Sequence, residues 1–223
     1  MDIYQEKENE IRLKNKKDIL LNLSEYEEKI KKYAKRFNYD FHYLVQVINE
    51  NEFLLNSIIK EPSKQNFHEL VVKDYVLEHI PEFINFIKLP TDSNESLYLS
   101  SGNIIKKKDF TTNNHTKSID FYWEMNVKGK NIKFYASHKY TKESGGAQDN
   151  QFKDLQNFLE HAKQYTKKDS IFVGICDGDY YHKNNQKKLI ALKIGVINTN
   201  CIVTSLKSLR NDVLEFVQDN YSE

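Results

Sequence analysis

The chain has 223 residues, 33 Lys and Arg against 32 Asp and Glu, 29% charged and 13% aromatic residues, and few Gly or Pro. That composition excludes a disordered chain, and no apolar run approaches the ~20 residues a membrane helix needs. A net charge of +1 neither announces nor excludes nucleic-acid binding, which depends on where Lys and Arg cluster.

The acidic, polar start MDIYQEKENE is unlike a secretory signal, and Cys176 and Cys201 lack metal-site spacing. A cytoplasmic protein with free thiols is expected. The length suits a core domain at residues 63–223 preceded by a helical subdomain at 1–62. In that subdomain Ile19, Leu20, Leu23, Tyr26, Ile30 and Tyr33 fall at helical spacing, and Ser24 with Glu27 forms a capping-box pattern. A further helix is predicted over 41–59, ended by Glu61-Pro62-Ser63.

Residues 66–80 predict a helix stopped by Pro81, and short strands are predicted at 97–99 and 103–105. Residues 118–125 and 131–139 alternate in polarity around Gly129, which predicts a β-hairpin with Met125 near Asn131. After Ser144-Gly145-Gly146, the positions Phe152, Leu155, Phe158, Leu159 and Ala162 predict a helix. The apolar run Ser170–Cys176 predicts a strand buried on both faces, ended by a turn carrying exposed Asp177 and Asp179. A helix over 185–194, a strand over 201–204 and a helix over 206–217 complete the succession. The expectation is an α/β protein of three layers with a central mixed sheet.

Side chains two apart on a strand share a face, so Ser137 and Lys139 point one way and His138 the other. An antiparallel register sets Asp120 across from Ala136 or Ser137, bringing a carboxylate and an ammonium to one strand end. The first turn of the following helix delivers Gln148, Asp149 and Gln151 to the same neighbourhood. Histidines 115, 161 and 182 lack partners at metal-ligand spacing and read as surface or packing residues. Ser137 lacks the glycine-rich elbow of a nucleophile.

Asp120, sixteen intervening residues, Ser137-His138-Lys139, a glycine pair and a Gln-bearing helix together resemble the core of PD-(D/E)XK restriction endonucleases, over roughly Phe67 to Val217. Ile119 stands where that family has Pro, and Ser137 where it has a second acid. The resemblance implies a restriction-endonuclease-like fold and a Mg²⁺ ion held by Asp120, the His138 carbonyl and a displaced carboxylate. Asp149 is the first candidate for that carboxylate and Asp154 the second. Glu69, on the helix before the hairpin, would contribute towards the metal. Lys139 would orient the attacking water, with Ser137 and Gln148 beside it. Phosphodiester hydrolysis needs this chemistry: an activated water, charge neutralisation at phosphorus and a stabilised leaving oxygen.

The implied activity is that of a type II site-specific deoxyribonuclease, a homodimer on palindromic double-stranded DNA, with a cognate methyltransferase as genetic partner. Lys106, Lys107 and Lys108 with Asn113 and Asn114 suit a loop reaching a DNA groove, since phosphates want Lys and base edges want Asn. A solvated loop is the plainer reading. A structure-specific repair or mobile-element endonuclease, or an inactive DNA-binding module of the same fold, are the alternatives.

Overall fold

The computed structural model describes residues 3–51, 55, 67–110, 114–142, 146–184 and 186–221. It divides into two compact units, Met1–Val71 and Val72–Glu223. No described helix is long and apolar enough to cross a membrane.

The first unit holds α1 (Ile3–Leu21), α2 (Glu27–Phe37), α3 (Phe41–Glu50) and the start of α4 (Phe67–His79). Ile30 and Ala34 of α2 and Leu44 and Ile48 of α3, each pair one turn apart, close a small core with Ile19 and Leu55. Ser24 does not cap α2. The chain tightens first into a 3-10 turn at Leu23–Tyr26, so Tyr26 occupies the cap position without a side-chain bond. The helix predicted over 41–59 stops at Glu50, because Asn51 turns to extended backbone. Residues 52–54 and 56–66 lie outside the described set.

The second unit is α/β. A five-stranded mixed sheet runs in the order β1 (Ile84–Lys88), β4 (Phe121–Val127), β5 (Lys130–Tyr140), β6 (Ser170–Asp177) and β7 (Cys201–Thr204). The pairs β1–β4 and β4–β5 are antiparallel, whereas β5–β6 and β6–β7 are parallel. The parallel steps need crossovers, which α5 (Gly146–Ala162) and α6 (Gln186–Gly195) provide. A separate hairpin, β2 (Leu97–Ser100) with β3 (Asn103–Lys106), and a last helix, α7 (Leu209–Tyr221), complete the unit.

Lys128 and Gly129 both take positive φ, +50° and +81°, at the β4–β5 reversal. Such a two-residue turn matches the strand twist and sets the register. Met125 therefore faces Ile132 and Asn126 faces Asn131, one residue from the expected pairing. Strand β1 was not legible in the sequence. It is a short edge strand whose Ile84 and Ile87 are exposed, and Asn85 at φ +55° interrupts its alternation.

One face of the sheet carries Tyr135, Phe172, Cys176, Cys201 and Val203, packed with Leu155, Phe158 and Leu159 of α5 and Leu192 of α6. On the other face Trp123 stacks on Phe134 at 5.0 Å and on Phe83 at 4.7 Å between ring centroids. Every residue of β6 is buried, as a strand covered on both sides requires.

The β2–β3 turn docks on the end of α5. Ser101 N–H donates to His161 Nδ1 at 2.8 Å, and a Cβ on Gly102, at φ +73°, would lie 2.3 Å from the Gln164 carbonyl oxygen. His161 must be unprotonated at Nδ1 to accept that bond. Burial first, and His115 second, hold its pKa below the ordinary 6.5. Its contribution to stability is thus whole above pH ~6.5 and lost as pH falls through the lowered folded value. We expect the urea midpoint of the wild type to drop more steeply below pH 6.5 than that of His161→Gln. Parallel pH profiles for the two proteins would refute the assignment.

Candidate active site

Strand β5 outruns its neighbour. The pairing with β4 begins at Phe121 opposite Ala136, so Ser137–Tyr140 pair only with β6, where Ser137 faces Gly174 and Tyr140 faces Asp177. Asp120 fills the vacated edge. Its N–H donates to the Ala136 carbonyl at 2.9 Å and its own carbonyl accepts from Leu89 N–H at 2.9 Å. With both main-chain groups held, its carboxylate is turned onto β5: Oδ2 accepts from His138 N–H at 2.8 Å and from Ser137 Oγ at 3.3 Å. Asp120 and Ser137 thus meet across the hairpin. In a strand the N–H and C=O of one residue point to the same edge, so the His138 carbonyl is directed to the side where Asp120 lies.

Ser137 is buried and Lys139 half-buried, on the face that α5 covers; a Cβ at Gly174, the register partner of Ser137, would lie 3.3 Å from Leu155. The His138 ring points through the opposite face. Its Nε2 lies 3.3 Å from Asp177 Oδ2, with the two side chains 1% and 9% exposed. Asp177 is therefore no exposed turn carboxylate: its Oδ1 accepts from Leu206 N–H at 3.1 Å. The ends of β5 and β6 are clasped beyond it, where Thr141 N–H donates to the Asp177 carbonyl at 2.8 Å and Tyr180 N–H to the Thr141 carbonyl at 3.0 Å. Gly178, at φ +94°, permits this clasp, since a Cβ there would lie 2.2 Å from the Thr141 oxygen. The signal for Asp177 was in the sequence, as an acid closing a wholly apolar run. Its partner on the adjacent strand was not.

The first turns of α5 are tied to other elements. Gln151 Oε1 accepts from Thr141 Oγ1 at 2.9 Å, which links α5 to the end of β5. Asp149 accepts from Tyr180 Oη at 2.6 Å and from Lys188 Nζ at 2.5 Å. The Lys188 ammonium, then the Tyr180 hydroxyl, hold the Asp149 carboxyl below its usual range. Lys188 sits 5.1 Å from the Phe152 ring centroid and 5.0 Å from that of Tyr180, a placement that favours the cation. Asp149 is thereby committed to α6. We expect Asp149→Ala to change any cleavage by less than about tenfold, which parallel time courses with the wild type would check. The side chain of Gln148 lies outside the described residues, Asp154 is half-buried farther along α5, and Glu69 belongs to the first unit, in the first turn of α4.

The lysine run is matched by acids of the preceding loop. Lys106 pairs with Glu95, Lys107 with Asp92, and Lys108 lies 3.9 Å from Glu95. These pairs are exposed, and phosphates could replace the carboxylates at little cost. Asn114 is exposed, its carbonyl accepting from Ser100 Oγ at 2.7 Å, and Asn113 lies outside the described residues. Both cysteines are buried; desolvation pushes Cys176 up strongly and Cys201 up to about 12. Neither thiol has the lowered pKa of a nucleophile.

Among the described residues no three His, Cys, Asp or Glu side chains stand close enough to hold a metal ion. Mg²⁺ does not require such a cage: it is commonly held by one or two carboxylates with substrate phosphate and water completing the shell. Asp120 with the His138 carbonyl fits that limited donor set, while Asp149 is engaged by Tyr180 and Lys188. The chain matches no protein-family model, no curated protein and no solved structure.

Proposed function

We propose that this chain is a Mg²⁺-dependent endonuclease that hydrolyses phosphodiester bonds in double-stranded DNA at specific sites, as a type II restriction enzyme acting as a homodimer in a restriction-endonuclease-like fold. The observation that carries this reading is the convergence at the overhanging end of β5: the Asp120 carboxylate on the strand edge, bonded to His138 N–H and Ser137 Oγ, with Lys139 one pleat along on the Ser137 face.

In this reading Asp120 and the His138 carbonyl would hold the ion, which when bound would supply charge neutralisation at the phosphoryl group and a more acidic water. Ser137 does not replace the missing acid as a ligand. Its hydroxyl fixes the Asp120 carboxylate instead. Lys139 has no ion-pair partner among the described residues, so its ammonium is available to a phosphate oxygen or to the attacking water. Asp177 steadies His138 from the opposite face and, through it, the amide that grips Asp120.

Incubation with bacteriophage DNA and Mg²⁺, beside a chelator control, tests the proposal on a gel. Discrete metal-dependent bands are expected. A smear would indicate cleavage without sequence specificity. Binding without cutting would favour an inactive DNA-binding module, the reading to which Ser137 in the acid position and the Lys188 clamp on Asp149 give support.

A further inference from the structure

The first unit contains a feature that the proposed chemistry does not use. Helices α2 and α3 are joined by only Asn38, Tyr39 and Asp40, within the three or four residues that join the helices of a helix-turn-helix. Each link residue has its reason. Asn38 takes the left-handed conformation, φ +55° and ψ +44°, that ends α2, and Tyr39 N–H returns to the Ala34 carbonyl at 2.9 Å. Asp40 caps α3, its carboxylate accepting from Tyr43 N–H at 2.8 Å. Ile30, Ala34, Leu44 and Ile48 fix the two helices against each other and against Ile19 of α1.

The outer surface of this pair is basic and aromatic. Lys32 and Arg36, one turn apart, and Lys35 beside them lie opposite the buried Ile30 and Ala34, all exposed. None of the three has an acidic partner among the described residues, whereas the neighbouring Lys31 is held by Glu27 and Glu28. The other arginines are both spoken for, Arg12 by Glu8 and Arg210 by Glu82. Phe37, Tyr39 and Tyr43 are 48%, 52% and 57% exposed. His42, Tyr43 and Gln46, in the first two turns of α3, face outward, and no acid follows in the helix before Glu50.

We propose that α2 and α3 form a helix-turn-helix that binds double-stranded DNA, with α3 in the major groove. Lys32, Lys35 and Arg36 contact phosphates, and His42, Tyr43 and Gln46 reach base edges. Three exposed cations without an acidic partner among the described residues, Arg36 lying 5.2 Å from the Phe37 ring centroid, choose a polyanion as occupant. The short turn and the outward polar side chains at the start of the second helix choose a duplex groove, where Gln can bond adenine through two atoms. The assignment is independent of the nuclease reading, because binding needs no metal.

The test is a gel-shift titration of the full-length chain, with chelator present, against duplexes selected from a random library and over a range of salt. The wild type should bind with a clear salt dependence. Lys32→Gln/Lys35→Gln/Arg36→Gln should weaken binding at least tenfold on every sequence and reduce the salt slope by about 2 to 3, near 0.9 per lost phosphate contact. Gln46→Ala should keep the slope and broaden the selected sequence. The triple variant changes exposed residues only, and its circular dichroism should match the wild type. A folded triple variant with wild-type affinity and slope would overturn the proposal, as would absence of duplex binding at 50 mM salt or preference for single strands. The two readings fail separately: a wild type that binds duplexes but never cleaves them with Mg²⁺ removes the nuclease and leaves this binding site intact, whereas a folded triple variant with wild-type affinity removes the binding site and leaves the nuclease.

Discussion

If the proposed function holds, Asp120→Asn and Lys139→Ala should each lower metal-dependent cleavage by about 10²- to 10³-fold, the order of effect when one charge-stabilising group is taken from a reacting centre, and both should leave duplex affinity within about threefold of wild type. The geometry dictates the asymmetry. Asp120 is held by its main chain to Ala136 and Leu89, so the amide of Asn takes up the same place but brings no negative charge. Lys139 has no structural ion pair to lose among the described residues, so its removal should delete the charge proposed to meet the reacting phosphate while breaking no ion pair of the fold. Single-turnover rates with saturating enzyme separate this from a loss of binding. If both variants cut within tenfold of wild type, the reacting centre lies elsewhere.

The second large effect is on stability. Asp177→Ala should cost about 3 kcal/mol or more, because it removes the carboxylate that meets His138 Nε2 and the Leu206 amide in a buried setting. Asp177→Asn keeps one acceptor oxygen and should cost clearly less. Urea unfolding of the three proteins reads this as a shift of midpoint at constant slope. A loss below about 0.5 kcal/mol for the alanine variant would mean that the pair contributes nothing net. In the folded Asn variant, reduced cleavage with unchanged duplex affinity would show that Asp177 positions the Asp120 grip through His138.

Much of the second unit was legible because its signals are local. The alternation around Gly129, the unbroken apolar run of β6 and the helical spacing of Phe152, Leu155, Phe158 and Leu159 each depend on residues within one element. Even the Asp120–Ser137 encounter followed from a hairpin, where a short turn and a two-residue period determine what lies opposite what. The one-residue difference in register came from Lys128, whose positive φ the sequence does not announce. Strand β1 escaped notice because an exposed edge strand with a break at Asn85 carries no periodic pattern.

The sequence by itself determined the α/β succession, the faces of Ser137, His138 and Lys139, and the meeting of Asp120 with β5, since these rest on chain geometry between neighbours. Only the tertiary structure decided that Asp149 is clamped by Lys188 of α6, that Asp177 is the buried partner of His138, and that the lysine run beginning at the end of β3 is met by Asp92 and Glu95. Lys188 lies 39 residues from Asp149 and Asp177 lies on the next strand over from His138. Which charge meets which across such distances is set by how helices and strands pack, and composition and spacing carry no record of it.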